Sequence, residues 1–201
     1  MSKIIAIDLG ERTIATVCDN LGNVRFLGRE VRGIRRHFAW LRRKLGQKKL
    51  FKMIKKLGSK EKRKVAYILH VISKEIVQWA KKINAIIVVG NLKGIRKKAK
   101  GKRLNRLISS MPFHKLTQMI RYKARQIGIQ VFNIKEYNTS KTCHKCKARV
   151  NRKTQASISC ENCGMQYNAD LNASINIGNR TREQGILVRA MAQAQESVHK
   201  L

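Results

Sequence analysis

Four cysteines stand in two pairs, Cys143-x-x-Cys146 and Cys160-x-x-Cys163, in the stretch that begins at Thr139. Thiolates are soft ligands, and two such knuckles joined by a short linker can fold back as a ribbon. They would close a tetrahedral zinc shell with no vacant position, which makes the metal structural. The alternatives are two disulfides or four unrelated core thiols. Disulfides are disfavoured because nothing in the chain suggests export. An acid, Asp170, follows directly, at what reads as the start of a helix. A zinc staple placed there would position it rigidly. A second acid, Asp8, ends the first apolar run, Lys3–Asp8 (KIIAID), which reads as a buried strand. His144 lies between two of the cysteines, but their set is already complete, so decoration of the knuckle suffices for it.

The charge points to a polyanion. The chain has 201 residues with 45 Lys and Arg against 11 Asp and Glu, a net charge of +34. Such a charge repels itself in a compact state unless it is screened. Nucleic acid is the expected partner, held with an affinity that falls steeply with salt; an anionic membrane surface is the rival. No run is long and apolar enough to span a bilayer, and Met1-Ser2-Lys3-Ile4 has no signal-peptide core. A cytoplasmic, nucleoid-associated place is therefore expected. The segment KGIRKKAKGKRLNR, from Lys93 to Arg106, reads as a phosphate clamp, with Lys93, Arg96, Lys97 and Lys98 as its contacts. Aromatic residues are 5% of the chain, so base stacking is not the main grip.

The elements that must position these groups follow from periodicity. Ile14–Asp19 and Val24–Leu27 read as strands around an Asn20–Asn23 turn, which with the first strand makes an antiparallel meander. Val31, Ile34, Phe38, Leu41 and Leu45 form one helical stripe, and Val65, Leu69, Ile72, Ile76 and Trp79 another. Together they predict a basic helical hairpin broken at Gly58-Ser59. Ala85–Val89 is an unbroken apolar strand. Pro112 opens a helix that Gly128 closes, with Phe113, Leu116, Ile120, Ala124 and Ile127 on one face, and Ile129–Ile134 is the last long strand. Meander followed by strand–helix units predicts an α/β fold, a mixed sheet with flanking helices. In that topology Asp8 and Asp170 converge at one end of the sheet.

The combination of Asp8 in AIDLG, Asn91-Leu92-Lys93-Gly94-Ile95-Arg96 after a strand, Thr139-Ser140-x-Thr142-Cys143-x-x-Cys146, Cys160-x-x-Cys163-Gly164 and Asp170-x-Asn172-Ala173 resembles the TnpB family. These are OrfB-type, transposon-associated proteins related to the type V CRISPR effectors. The resemblance implies an RNase H-like (RuvC) core with an inserted zinc ribbon, and RNA-guided, Mg²⁺-dependent DNA cleavage by three carboxylates. Asp8 matches the first and Asp170 the third. It also implies a division into a core at 1–138, with its helical hairpin at about 30–82, a zinc ribbon at 139–168 and a completing helical segment at 169–201.

Two features depart from the family. Gly90 stands in Val88-Val89-Gly90-Asn91-Leu92 where the family has its second catalytic glutamate. Two-metal hydrolysis needs clustered anionic oxygens around two cations about 4 Å apart. Losing one carboxylate is expected to impair cleavage, leaving a DNA-binding module. The alternative is an active endonuclease with a relocated glutamate, for which Glu136 is the best placed; Glu75 reads as a solvated helix residue. In addition, family members carry a sizeable region before the first aspartate, whereas this chain begins almost at that strand. RNA guidance is therefore expected only where such a region is supplied.

Overall fold

The computed structural model describes residues 3–91, 111–135, 137–152, 154 and 157–185. The chain opens with β1 (Lys3–Asp8), β2 (Ala15–Asp19) and β3 (Val24–Leu27), followed by α1 (Glu30–Gln47), α2 (Phe51–Leu57) and α3 (Lys60–Ile83). After β4 (Ala85–Asn91) come α4 (Phe113–Gln126) and β5 (Val131–Lys135). A small sheet of β6 (Asn151–Arg152), β7 (Ser157–Ser159) and β8 (Gln166–Asn168) then leads into α5 (Ala169–Glu183).

The main sheet has the order β3-β2-β1-β4-β5. β1 pairs antiparallel with β2 and parallel with β4, and β4 pairs parallel with β5, so the sheet is mixed, as the element order predicted. Asp19 fixes the β2–β3 hairpin: its Oδ1 accepts the backbone N–H groups of Leu21 and Asn23, and its Oδ2 accepts Asn23 Nδ2 at 2.7 Å. This satisfies the turn's donors locally, as short acidic side chains do in tight turns.

Helices cover both faces, and the period-2 alternation of β1 sorts its residues between them. Ile5, Ile7 and Leu9 belong to the larger core, with Val65, Leu69, Ile72 and Ile76 of α3 and Leu116 and Ile120 of α4. Ile4 and Ala6 belong to the other core, with Cys18, Val88, Ile134 and Ile177 of α5. Gly178 lets α5 lie close on the sheet, since a Cβ there would stand 3.4 Å from that of Ala6. Cys18 is buried between the layers, and burial pushes its thiol up to about 11, the behaviour of a core residue.

Two helical details differ from the periodicity reading. The basic hairpin contains a third helix, α2, in which no residue is buried. Its apolar residues Met53, Ile54 and Leu57 recur at helical spacing but none is buried, and Gly58, at a φ of 44°, turns the chain into α3. Ile127 is 40% exposed, because α4 ends at Gln126 and the face that buries Leu116, Ile120 and Ala124 stops with it. Among the described residues no helix is long and apolar enough to cross a membrane.

Candidate metal centre and acidic site

The Sγ atoms of Cys143, Cys146, Cys160 and Cys163 all lie within 4.8 Å of one another. Cys143 and Cys163 approach to 3.7 Å, and Cys146 and Cys160 to 3.4 Å. A tetrahedral zinc with bonds of about 2.3 Å sets its sulfurs about 3.8 Å apart, so the donor type, number and spacing fit zinc. The first knuckle is closed by backbone bonds, with Lys147 N–H donating to Cys143 O and Cys143 N–H to Ala148 O. The second turns at Gly164, whose φ of 69° is in the left-handed region glycine favours.

The sulfurs do not hold their protons alike. Burial pushes the Cys143 thiol up, but backbone N–H groups of Cys146 and Lys145 and the Tyr167 hydroxyl, 2.6 Å away, outweigh it and bring it down to about 6. The Asn162 side chain, followed by the Ala148 backbone, lowers Cys146. The Met165 backbone draws Cys163 down, yet burial and the three neighbouring sulfurs push it up to about 11. Negative charge on part of such a cluster opposes charge on the rest. A divalent cation removes that opposition, and thiolates are the form that binds it.

The cluster is built into the start of α5. Cys143, Val150, Ile158, Cys160 and Ala169 form one small core. β8 runs directly into the helix, and Asn168 caps it, its Oδ1 accepting the N–H groups of Asp170 and Leu171 at 2.8 and 3.1 Å. Asp170 thus sits in the first turn, immediately beyond a residue buried among the cysteines. It is half-buried. A Cβ at Gly10 would stand 3.8 Å from Asp170 Oδ2 and only 3.0 Å from the Thr13 carbonyl oxygen. The tight approach at position 10 is to the Thr13 carbonyl, and the Asp170 carboxylate stands in ordinary contact distance beside the loop that follows β1.

Asp8 lies at that same end. It shares the alternation of Ile4 and Ala6, which face α5. On β4, Ile86 and Val88 face α5 as well, and Gly90 continues their alternation. Ile7 pairs with Val89, so Asp8 and Gly90 stand side by side one step further along the two parallel strands. The structure therefore brings Asp8, Gly90 and Asp170 to one end of the sheet on one face. Lys93, Arg96, Lys97, Lys98 and Glu136 lie outside the described residues. Glu75 is ion-paired to Arg25 at 2.7 Å on another part of the surface.

Sequence reasoning missed the clamp that joins the cysteine cluster to the helix. Asn172 and Asn176, one turn apart on α5, are both buried. The Nδ2 groups of both donate to the carbonyl oxygens of Thr139 and Thr142, at 3.3 and 2.8 Å from Asn172 and 2.8 and 2.7 Å from Asn176. Asn172 Oδ1 also accepts the backbone N–H of His144 at 2.9 Å, and the His144 ring lies 4.7 Å from that of Tyr167. The signal was present: two asparagines share a helical face with Ala169, Ala173 and Ile177, and buried amides must find partners.

Each carbonyl has two amide donors, so the residues back each other up. Asn172→Ala is expected to cost about 2–3 kcal/mol, because it also orphans the His144 N–H, and Asn176→Ala about 1–2 kcal/mol. The double variant is expected to exceed the sum, since only then are both carbonyls left unpaired. Urea unfolding of the four proteins reads this directly. Strict additivity would mean that the two asparagines do not share their acceptors.

The Cas12f1-like TNB domain family matches residues 113–177. The chain is 31% identical over 195 residues to "TnpB-like protein MJ0751" of Methanocaldococcus jannaschii, covering 90% of this chain and 70% of that protein. It is 29% identical over 160 residues to the "CRISPR-associated endodeoxyribonuclease Cas12f2" of a Micrarchaeota archaeon, covering 68% of this chain and 29% of that protein. The fold superposes on the protein in a cryo-EM structure of a Cas12f1–sgRNA–target DNA complex with a TM-score of 0.71 and 26% identity, over 88% of this chain and 50% of that one. The chain thus spans half or less of these two Cas12f relatives' length.

Proposed function

The chain belongs to the TnpB-like family, and from that premise we propose that it is a nucleic-acid-binding RuvC-like module whose DNA cleavage is impaired at Gly90. The observation that carries this reading is the place of Gly90: beside Asp8, on the face toward α5, where a third carboxylate would complete the acidic site. The donor set among the described residues falls short of a two-metal Mg²⁺ centre, because Asp8 and Asp170 offer two carboxylates and glycine none. What remains is a scaffold of high positive charge, with DNA and RNA as its partners. Relatives with guide RNA and target DNA in their described complexes support both partners.

The cysteine cluster, loaded with zinc, is the module's rigid ribbon, at 139–168. It stands between the core at 1–138 and the segment at 169–201 that returns Asp170 to the site. Lys93, Arg96, Lys97 and Lys98 are the proposed phosphate contacts. An alanine at any one is expected to weaken binding to all sequences alike.

The test pairs binding with cleavage. Labelled single- and double-stranded DNA is incubated with the protein in Mg²⁺ and in Mn²⁺, beside Asp8→Ala and Glu136→Gln. The expected result is binding that weakens by orders of magnitude between about 50 and about 200 mM salt, with no cleavage above that of Asp8→Ala. Cleavage by the parent that both substitutions abolish would instead assign the second carboxylate to Glu136 and make the protein an active endonuclease.

A further inference from the structure

The outer face of α1 is organised differently from a merely solvated helix. Gly33, Arg36, His37, Trp40, Arg43, Lys44 and Gln47 recur at helical spacing, and all are exposed. Trp40 is 46% exposed, whereas the other tryptophan, Trp79, is 7% exposed and covered by Arg25 at 4.7 Å. The His37 ring lies stacked beside Trp40 at 6.2 Å and 29°, and Lys44 Nζ stands 5.6 Å from the Trp40 ring centroid. A Cβ at Gly33 would meet nothing within 4 Å, so the face is open there too.

Charge singles this face out. The ion pairs of α1 use Arg32 with Glu11, and Arg35 and Arg42 with Glu61. Among the described residues no ion pair engages Arg36, Arg43 or Lys44, which flank Trp40. The single acid of the helix, Glu30, lies in its first turn. A lone exposed apolar side chain is ordinary, but a flat aromatic ring held between cations one turn to either side matches a base and its flanking phosphates.

We infer that the outer face of α1 is a stacking site for an unpaired nucleobase, with Trp40 as the platform and Arg36, Arg43 and Lys44 as phosphate contacts. The inference rests on the nucleic-acid-binding reading above and gives that binding a preference for single strands. A base inside a duplex has its ring faces covered by its neighbours, so only an unpaired or terminal base can lie on the indole. The stacking contributes selectivity, while the bulk of the affinity comes from phosphates.

The protein is titrated at low salt with a short oligothymidylate and with a duplex of equal length, beside Trp40→Ala and Trp40→Phe. Tryptophan emission and its quenching by iodide are followed together with affinity. The parent-minus-Trp40→Phe difference isolates the Trp40 signal, which is expected to be quenched by oligothymidylate, protected from iodide, and left unchanged by the duplex. Trp40→Ala is expected to lose about tenfold or more in affinity for the single strand, the scale of one stacked base. Its duplex binding stays within about twofold and Trp40→Phe stays close to the parent on both. Unchanged Trp40 emission at saturation, with equal single-strand affinity in Trp40→Ala, overturns the stacking site. Salt-sensitive binding that persists in that case leaves the functional reading standing, whereas no binding at all removes both. Quenching that depends on protein concentration without nucleic acid assigns the face to a second copy of the chain and likewise overturns the inference.

Discussion

On the reading proposed above, Gly90→Glu is expected to raise Mg²⁺-dependent DNA cleavage by several orders of magnitude over the parent. The expectation is geometric. Gly90 has no positive φ that would strain a side chain, and it pairs with Ile134 inside a regular parallel ladder. Its alternation directs a side chain toward α5, beside Asp8 on a strand about 4.8 Å away. A glutamate there adds one anionic group to two carboxylates already at the same end of the sheet, which raises both the ligand count and the local negative charge that hold divalent cations. The control is Gly90→Gln, nearly equal in size and uncharged, which should stay inert. Gly90→Asp should recover less, because its shorter side chain carries the carboxylate less far from the strand. If Gly90→Glu folds, binds DNA and stays as inert as Gly90→Gln, the missing carboxylate is not what disables the site.

Removing the zinc proposed for the cysteine cluster is expected to have the second large effect. Chelation, or Cys143→Ser, is expected to unfold the ribbon and release the start of α5 while the main sheet stays folded. The ribbon's own core consists of Cys143, Val150, Ile158, Cys160 and Ala169. Large buried side chains contribute about 1.5–3 kcal/mol each, whereas each ordered residue costs about 1–2 kcal/mol in backbone entropy. A core this small cannot hold its segment without the metal, whose binding supplies about 10 kcal/mol or more in comparable small zinc domains. The effect should reach Asp170, since Asn168 caps α5 from the end of β8 and Ala169 is buried among the cysteines. It should fade along the helix, since Ile177 and Gly178 are anchored on β1 and its neighbours. Hydrogen exchange reads both limits: amides from 139 to 171 lose protection, and those of β1, β4 and α3 keep theirs. Full protection of the ribbon in the chelated protein would mean that the cluster is not a structural metal site.

Much of this was readable from residue order alone. Two Cys-x-x-Cys pairs define donors whose chemistry does not depend on the fold, and charge defines the class of partner wherever the charges lie. Apolar periodicity identified β1 to β5, the long helices and the mixed sheet, because burial on one face or both leaves a pattern of period 2, 3.6 or unbroken runs. Other features required the tertiary structure. Asn172 and Asn176 read as polar residues of a helix until the carbonyls of Thr139 and Thr142, from 30 to 37 residues earlier, are brought against them. The short helix α2 carries apolar residues at helical spacing, yet none of them is buried. Trp40 and Trp79 are the same residue type in similarly basic helices, yet one is open and the other covered. Local pattern records what a segment can bury. Which long-range partner satisfies a buried amide, or which face stays open, is decided only when distant segments pack, because those contacts leave no period in the sequence.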